Sequence, residues 1–327
     1  MKRILGMGNA LTDILLQVDS DDVLQQLSLP KGSMQLVDEQ KSKALNTIFA
    51  DKNKIMATGG SASNTINGIT RLGGDAGFVG KIADDFIGNF FLNDSINNKV
   101  KPHFIYSTTP SGQCTVLVSP DGERTMSTYL GAACELGADE LNSDMFAGYD
   151  IFHIEGYLVQ NHDLIRKAVV LAKENGLKVS IDLASYNVVE ANLDFLQEIV
   201  AKYVDIVFAN EEEARSFSNA EPEQALDMIA QMCEIAVVKV GKDGSFVKSG
   251  DEKHFIQPRL SNCIDTTGAG DLYAAGFLFG LATGMSLDKC GALGAYVSGN
   301  VVEVIGAKMN DSTWMDINNF ACELSKN

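Results

Sequence analysis

Short apolar runs alternate with segments of helical periodicity along most of this chain. Ile4–Met7, Val179–Leu183 and Ile235–Val240 have the length and composition of buried β-strands. Between such runs, apolar residues recur every three or four positions, as they do over residues 62–72. This alternation is typical of a mostly parallel sheet covered by helices on both faces, because parallel strands need long crossover connections. The sequence therefore predicts an α/β fold, a three-layer α/β/α sandwich.

One stretch departs from this alternation, since it is rich in Thr, Ser and Val and has no helical period. Within it, Ser119-Pro120-Asp121-Gly122 supplies a hairpin turn between two strand-like runs, Cys114–Val118 and Arg124–Tyr129. Two earlier runs, Ile14–Val18 and Ser33–Val37, also have strand composition. These segments predict a second, smaller sheet.

We therefore expect a single domain over residues 1–327, with a small β lid formed by segments of about 13–40 and 103–131 inserted in the α/β core. A length of 327 residues fits two domains or one large α/β domain with an appendage. The alternative for the lid segments is a pair of surface hairpins that do not move.

A turn of small residues with the sequence DTTGAGD occupies residues 265–271 and leads directly into an apolar helical segment from Leu272. Small residues let backbone N–H groups approach a phosphate closely, and a helix N-terminus adds unpaired donors and the positive end of its dipole. Asp271 can then accept a proton from a hydroxyl next to that phosphate, which suits phosphoryl transfer to an alcohol. The alternative is an ordinary capped helix.

Two further sites have the residue types that bind hydroxyl groups. The sequence GGSASN at residues 59–64 combines a glycine pair, which permits close approach to the backbone, with Asn64, which both donates and accepts hydrogen bonds. Asp13 could hold a vicinal diol with its two oxygens. The alternatives are a capping or packed polar role for Asn64 and a surface or turn carboxylate for Asp13.

Two loops that follow apolar strands are candidates for binding a nucleotide. Asn210 and Glu213 are spaced like the N-cap and third residue of a helix, so they either cap it or hold waters of a Mg²⁺ ion. Gly241 and Gly244 belong to a loop that is either a plain hairpin turn or a contact to a nucleotide.

Composition and missing motifs exclude several classes of function. The net charge is −17 and no long Lys/Arg run occurs, so nucleic acid and anionic membranes are not expected partners. Neither a P-loop nor a complete dinucleotide-binding glycine pattern is present. The four histidines lack metal-ligand spacing. The six scattered cysteines and the lack of a long apolar run predict a cytoplasmic protein with reduced thiols.

Taken together, these motifs resemble the ribokinase-like kinases, a family of sugar and nucleoside kinases that includes ribokinase, fructokinase and adenosine kinase. The resemblance covers nearly the whole chain. It rests on two separated motifs, the glycine-rich segment at residues 59–64 with its continuation through residues 72–88, and the turn at residues 265–271 with its helix. The segments at residues 8–14 and 128–133 are more similar to the adenosine kinase branch than to ribokinase.

The resemblance implies a role for each element of the phosphoryl-transfer site. It makes Asp271 the general base that deprotonates the acceptor hydroxyl. The N–H groups of Gly268, Ala269 and Gly270 would form the anion hole for the transferred phosphoryl group.

On the nucleotide side, the resemblance implies ATP and Mg²⁺ as cofactors. These roles fall on six residues: Asn210, Gly241, Gly244, Thr266 and Asn300 around ATP, and Glu213 on the metal through water. On the acceptor side, it places Asp13, Gly60 and Asn64 at hydroxyl groups of a nucleoside or sugar.

The expected activity is ATP-dependent transfer of the γ-phosphoryl group to a primary hydroxyl of a nucleoside or sugar, similar to that of adenosine kinases. The first alternative is a kinase of the same family that acts on ribose, fructose or a sugar acid. The second, from another class, is a catalytically silent protein that binds a nucleoside or sugar. Both a monomer and a homodimer formed through the lid are open, because a sheet with free edges can pair with a second copy.

Overall fold

A nine-stranded sheet forms the centre of the computed structural model, which describes residues 1–326. Its strands are β1 (Ile4–Met7), β5 (Ala76–Ala83), β6 (Lys101–Ser107), β9 (Ile151–Glu155), β10 (Lys178–Asp182), β11 (Ile206–Asn210), β12 (Ile235–Lys239), β13 (Ser245–Ser249) and β14 (Glu252–Ile256). Their spatial order is β14-β13-β12-β11-β10-β9-β1-β5-β6. Seven strands are parallel, and β13 and β14 continue the sheet as antiparallel strands.

Helices cover both faces of this sheet. One layer contains α3 (Ser61–Arg71), α4 (Phe86–Asn97), α10 (Ala269–Thr283), α11 (Leu287–Val301) and α12 (Asp311–Lys326), and the other contains α5 (His162–Glu174), α6 (Tyr186–Ala191), α7 (Leu193–Tyr203), α8 (Glu211–Ser218) and α9 (Pro222–Ile229). Successive strand residues serve opposite layers, as Val207 and Phe208 do. The predicted three-layer α/β/α fold is confirmed. Within residues 1–326, no helix combines the length and apolar character needed to cross a bilayer.

A second sheet of five strands lies beside the large one. It consists of β2 (Leu11–Gln17), β3 (Met34–Leu36), β4 (Ile55–Gly59), β7 (Gly112–Val118) and β8 (Arg124–Tyr129), in the order β3-β8-β7-β2-β4. We call it the small sheet. Two helices, α1 (Asp22–Gln26) and α2 (Glu39–Ile48), pack Leu24 and Leu45 against Ile14 on one face. Because side chains alternate along β2, Asp13 faces away from this cluster.

The predicted lid segments contribute β3, β7, β8 and most of β2 to the small sheet. Two details differ from the prediction. The fifth strand, β4, lies outside both segments, and residues 103–107 belong to the edge strand of the large sheet. Sequence patterns alone did not separate these strands, because β4 and β6 are only partly apolar. Movement of the small sheet as a lid stays a prediction.

Helix α10 is fixed against both the sheet and α3. The ring of Phe277 on α10 meets the ring of Phe208 on β11 edge to face, with centroids 5.4 Å apart. Gly68 on α3 allows close approach of the two helices, since a Cβ atom there would lie 2.7 Å from the Cβ of Ala275. These contacts hold the first turn of α10 beside the first turn of α3.

Phe277→Ala should lower the free energy of unfolding by about 3–5 kcal/mol, because it leaves a cavity where α10 packs on the sheet. Phe277 is fully buried, whereas Phe86 is 74% exposed, so Phe86→Ala is a matched control with an expected change within about 0.5 kcal/mol. Urea denaturation followed by circular dichroism measures both. Equal losses in the two variants would contradict this description of the core.

Candidate active site

The last residue of each of four neighbouring strands in the large sheet is polar. In spatial order they are Glu155 on β9, Asp182 on β10, Asn210 on β11 and Lys239 on β12. Parallel strands bring their carboxyl ends to one edge, which is where open α/β sheets bind ligands. This edge and the N-termini of α3 and α10 form the candidate active site.

The turn before α10 presents backbone donors at this edge. Gly268 has φ = +76°, a conformation that favours glycine, and its carbonyl accepts the N–H of Leu272 at 2.8 Å. Within residues 1–326, the N–H groups of Gly268 and Gly270 have no hydrogen-bond acceptor, whereas the N–H of Ala269 donates to the carbonyl of Thr266 at 3.1 Å. The turn therefore offers the N–H groups of Gly268 and Gly270 to an anion, and the predicted contribution of Ala269 is already engaged.

The carboxylate of Asp271 is held by two donors from α3. Ser61 Oγ donates to Oδ1 at 2.8 Å, and Asn64 Nδ2 donates to Oδ2 at 3.0 Å. Burial raises the pKa of Asp271 to about 6, although both hydrogen bonds act in the opposite direction. Such a group is ionised at neutral pH and is still basic enough to accept a proton.

Asn64 and Gly60 lie on the α3 side of Asp271. The Oδ1 atom of Asn64 is buried and has no hydrogen-bond partner within residues 1–326. Gly60 is the N-cap of α3 with φ = +89°, and a Cβ atom there would lie 2.2 Å from the carbonyl oxygen of Asn9. The structure thus brings Asn64 into contact with the carboxylate of Asp271 and places Gly60 next to Ser61, its other donor.

Glu155 supports the start of α3 and was not identified from the sequence. Its fully buried carboxyl accepts the side-chain amide of Asn9 at 2.6 Å and the N–H of Ala62 at 3.2 Å. Burial raises the pKa of Glu155 to about 7. A polar residue directly after an apolar strand is the sequence signal that could have identified Glu155, as it did Asn210.

Asp13 faces a cavity of about 560 Å³ between the small sheet and the segment at residues 305–308. Within residues 1–326, its carboxylate makes no side-chain hydrogen bond, and burial raises its pKa to about 6 against the charges of Arg124 and Lys308. Apolar side chains also line the cavity, including Leu15 and Ile305. The cavity therefore combines a free acceptor of hydroxyl hydrogens with an apolar wall.

Arg124 on β8 joins the small sheet to the turn before α10. Its guanidinium donates to the carboxylate of Asp265 and, at 2.8 Å, to Thr267 Oγ1. The Arg124 and Asp265 side chains are only 9% and 12% exposed. Arg124 was not predicted as a site residue, because the pattern of its segment indicates only a strand next to a turn.

Asn210 and Glu213 form a reciprocal capping box at the start of α8. Asn210 Oδ1 accepts the N–H of Glu213 at 2.9 Å, while the Glu213 carboxylate accepts the N–H of Asn210 at 2.8 Å and its side-chain amide at 2.7 Å. Burial raises the pKa of Glu213, and the nearby Asp182 carboxylate adds to this effect. The capping interpretation is thus realised, and each Glu213 oxygen keeps capacity for a further donor such as water.

The remaining predicted nucleotide residues lie in three places. Gly241 and Gly244 belong to the turn between β12 and β13, with φ of +56° and +115°. Thr266 is exposed within the turn before α10. Asn300 on α11 is buried, and its amide donates to the carbonyl of Tyr296 at 2.8 Å. Within residues 1–326, no hydrogen bond joins Gly241, Gly244 or Asn300 to the turn before α10, residues 265–271.

Comparison with known proteins agrees with this geometry. A family model described as pfkB family carbohydrate kinase matches residues 33–314. The crystal structure of adenosine kinase from Sinorhizobium meliloti has a TM-score of 0.85 and 34% identity, over 97% of this chain and 99% of that one. A probable sugar kinase from Rhizobium etli CFN 42 has a TM-score of 0.86 and 32% identity, over 99% of each chain.

A sequence relative extends the same similarity. Adenosine kinase of Saccharomyces cerevisiae is 26% identical over 328 aligned positions, which cover 92% of this chain and 94% of that protein. The predictions of family and reaction are therefore confirmed: the chain belongs to the pfkB family of carbohydrate kinases and is an ATP-dependent kinase of a nucleoside or a sugar.

Proposed function

We propose that the protein phosphorylates a primary hydroxyl of a nucleoside. The observation that carries this proposal is the cavity of about 560 Å³, in which the Asp13 carboxylate lies beside an apolar wall that includes Leu15, Ile55, Val118 and Ile305. A ribose diol matches the two carboxylate oxygens, and the flat apolar faces of a base match the wall. A free sugar has hydroxyl groups all round and leaves the apolar wall unused.

The charges around the cavity support a neutral acceptor over a sugar acid. Arg124 is engaged by Asp265 and Thr267, and Lys308 donates to Thr58 Oγ1 at 2.7 Å. The Asp13 carboxylate also lies near both cations. The positive charges are therefore already balanced, which leaves little attraction for a carboxylate on the acceptor.

Asp271 is the proposed general base, and Gly268 and Gly270 the proposed donors to the transferred phosphoryl group. An acceptor hydroxyl that donates to Asp271 lies beside the N–H groups of the turn. As the oxygen attacks the γ-phosphorus of ATP, its proton passes to Asp271, and the bond from that phosphorus to the β,γ-bridging oxygen breaks to release ADP. The N–H groups and the α10 dipole stabilise the charge on the phosphoryl oxygens. Asn64 Oδ1, which is buried and has no hydrogen-bond partner among residues 1–326, would accept a second hydroxyl of the acceptor.

ATP and Mg²⁺ fit the charge at the strand edge. Burial raises the pKa of Glu213 and of Asp271, the charge of the Asp182 carboxylate adds to both shifts, and Lys239 is the cation among these groups. A bound Mg²⁺ offsets the repulsion between these carboxylates and the phosphates of ATP. We propose that Glu213 holds this ion through water, since both its oxygens already accept hydrogen bonds from Asn210.

The remaining proposed contacts complete the nucleotide and acceptor sides. Thr266, Gly241, Gly244 and Asn300 would surround ATP, as the family resemblance implies. The small sheet would act as a lid in this single domain, with Arg124 as its contact to the turn at residues 265–271, and would exclude water from the reaction. We propose a cytoplasmic location, where ATP is available.

The substrate proposal predicts that adenosine and related nucleosides are phosphorylated with higher kcat/KM than ribose, fructose or sugar acids. A panel of these acceptors with MgATP, monitored by ADP release and by mass spectrometry of the product, measures this ranking. Preference for a free sugar would replace the nucleoside assignment. Nucleoside binding without turnover of any acceptor would favour the silent binding protein.

Asp271→Asn should lower kcat by about 100- to 10,000-fold, because the amide cannot accept the proton. The KM values for acceptor and ATP should change much less. Asp288→Asn is a matched control, since Asp288 is also in the first turn of a helix and accepts a hydrogen bond from a serine, Ser286, but is exposed. Near-normal turnover of Asp271→Asn would remove Asp271 from its proposed role.

The acidic limb of the pH profile should report Asp271. Because the base must be ionised, kcat/KM should fall about tenfold per pH unit below its pKa of about 6. Protonation of Asp13, whose pKa is also about 6, would make this limb steeper than the single ionisation of Asp271 does. Ser61→Ala removes a hydrogen bond to the ionised form of Asp271, so the limb should move to higher pH, whereas Ser63→Ala should leave it in place. An unmoved limb in Ser61→Ala would argue against Asp271 as the titrating base.

A further inference from the structure

Lys239 is a largely buried cation that the mechanism described so far does not use. It ends β12, directly beside Asn210 at the end of β11. Its Nζ atom donates to Asp182 Oδ2 at 2.9 Å, and the two side chains are only 14% and 9% exposed. Burying such an ion pair costs desolvation free energy, and replacing the whole pair by apolar residues often leaves the stability unchanged or raises it. Stability alone therefore gives no reason for a lysine here.

The ammonium group lies next to the turn that offers N–H groups to an anion. A Cβ atom added to Gly270 would lie 3.0 Å from Lys239 Nζ. An ammonium has three N–H donors, and within residues 1–326 the hydrogen bond of Lys239 goes to Asp182. Donors of this group thus remain for a ligand at the turn.

We propose that Lys239 is a catalytic residue whose ammonium contacts the transferred phosphoryl group of ATP, and that Asp182 is a positioning residue that fixes the ammonium beside Gly270. This inference rests on the proposed function, because it assumes that the phosphoryl group lies at the turn.

The charge of Lys239 suits this task. Burial opposes the ionised form, but the carboxylates of Asp182 and Glu213 outweigh it and hold the pKa of Lys239 above its usual range. The group is therefore cationic throughout the working pH range. A fixed cation in a buried site stabilises the charge on the phosphoryl oxygens more than one in water does. Asp182 also has a second anchor, since its Oδ1 accepts the N–H of Ala184 at 3.0 Å.

Lys239→Met should lower kcat by about 100- to 1,000-fold, the range typical of removing one preorganised donor to a transition state. Lys239→Arg keeps the charge and should recover part of that loss. Asp182→Asn should give an intermediate loss, because the ammonium remains but is less well fixed. The acceptor KM should stay near the wild-type value in each variant. Lys248→Met is the control, because Lys248 is a partly buried lysine, paired with Asp227 at 2.7 Å, on β13.

Binding of a transition-state analogue separates catalysis from structure. The affinity of ADP, Mg²⁺ and aluminium fluoride with the best acceptor should fall in Lys239→Met, while binding of the acceptor alone should not, as measured by isothermal titration calorimetry. If Lys239→Met does not fold, the same comparison is made with Lys239→Arg and Asp182→Asn.

Two outcomes would overturn the inference. One is a kcat within about threefold of wild type in Lys239→Met, or in Asp182→Asn if the methionine variant does not fold. The other is equal loss of acceptor and analogue binding. Failure of the proposed function is distinguishable, since the wild-type enzyme would then phosphorylate no nucleoside, or Asp271→Asn would remain active.

Discussion

The carboxylate of Asp271 connects two helix N-termini that come from distant parts of the chain. Its hydrogen bonds to Ser61 and Asn64 span sequence separations of 210 and 207 residues. One helix brings the residues proposed to bind the acceptor, and the other brings the N–H groups proposed to bind the phosphoryl group. The site depends on this junction, because it places the proposed base beside the proposed anion hole.

A site of this kind in an acidic protein can bind phosphates only if nearby positive groups offset the negative charge of its carboxylates. The net charge of the chain is −17, and buried carboxyl groups at Glu155, Asp182 and Glu213 surround the strand edge. Phosphates of ATP would be repelled without donors that offset this charge. The structure has three features with positive charge or partial charge at this edge: the N–H groups of Gly268 and Gly270, the N-terminal end of the α10 dipole and the Lys239 ammonium. This combination explains why a protein with few basic residues can serve a highly charged nucleotide.

Local sequence patterns predicted the layers of helices and strands. They did not identify the site residues whose partners lie far away in the chain. The apolar runs predicted strands of the large sheet such as β1, β10 and β12, and β1 has the predicted bounds. The turn at residues 265–271 was found because small residues before an apolar helix are a local signal. Asp182 and Lys239 were missed because they form a pair only when β10 and β12 take their places on either side of β11. Glu155 was missed because its partners Asn9 and Ala62 lie 146 and 93 residues away. Arg124 was missed because its partners lie 141 and 143 residues away.

The most direct test of this arrangement is a crystal structure with the best acceptor and a non-transferable ATP analogue, such as the β,γ-imido compound with Mg²⁺. The account predicts that the reactive hydroxyl donates to Asp271 while the terminal phosphate accepts the N–H groups of Gly268 and Gly270. An acceptor whose hydroxyl lies outside hydrogen-bond reach of Asp271, or a terminal phosphate bound away from the turn, would contradict it.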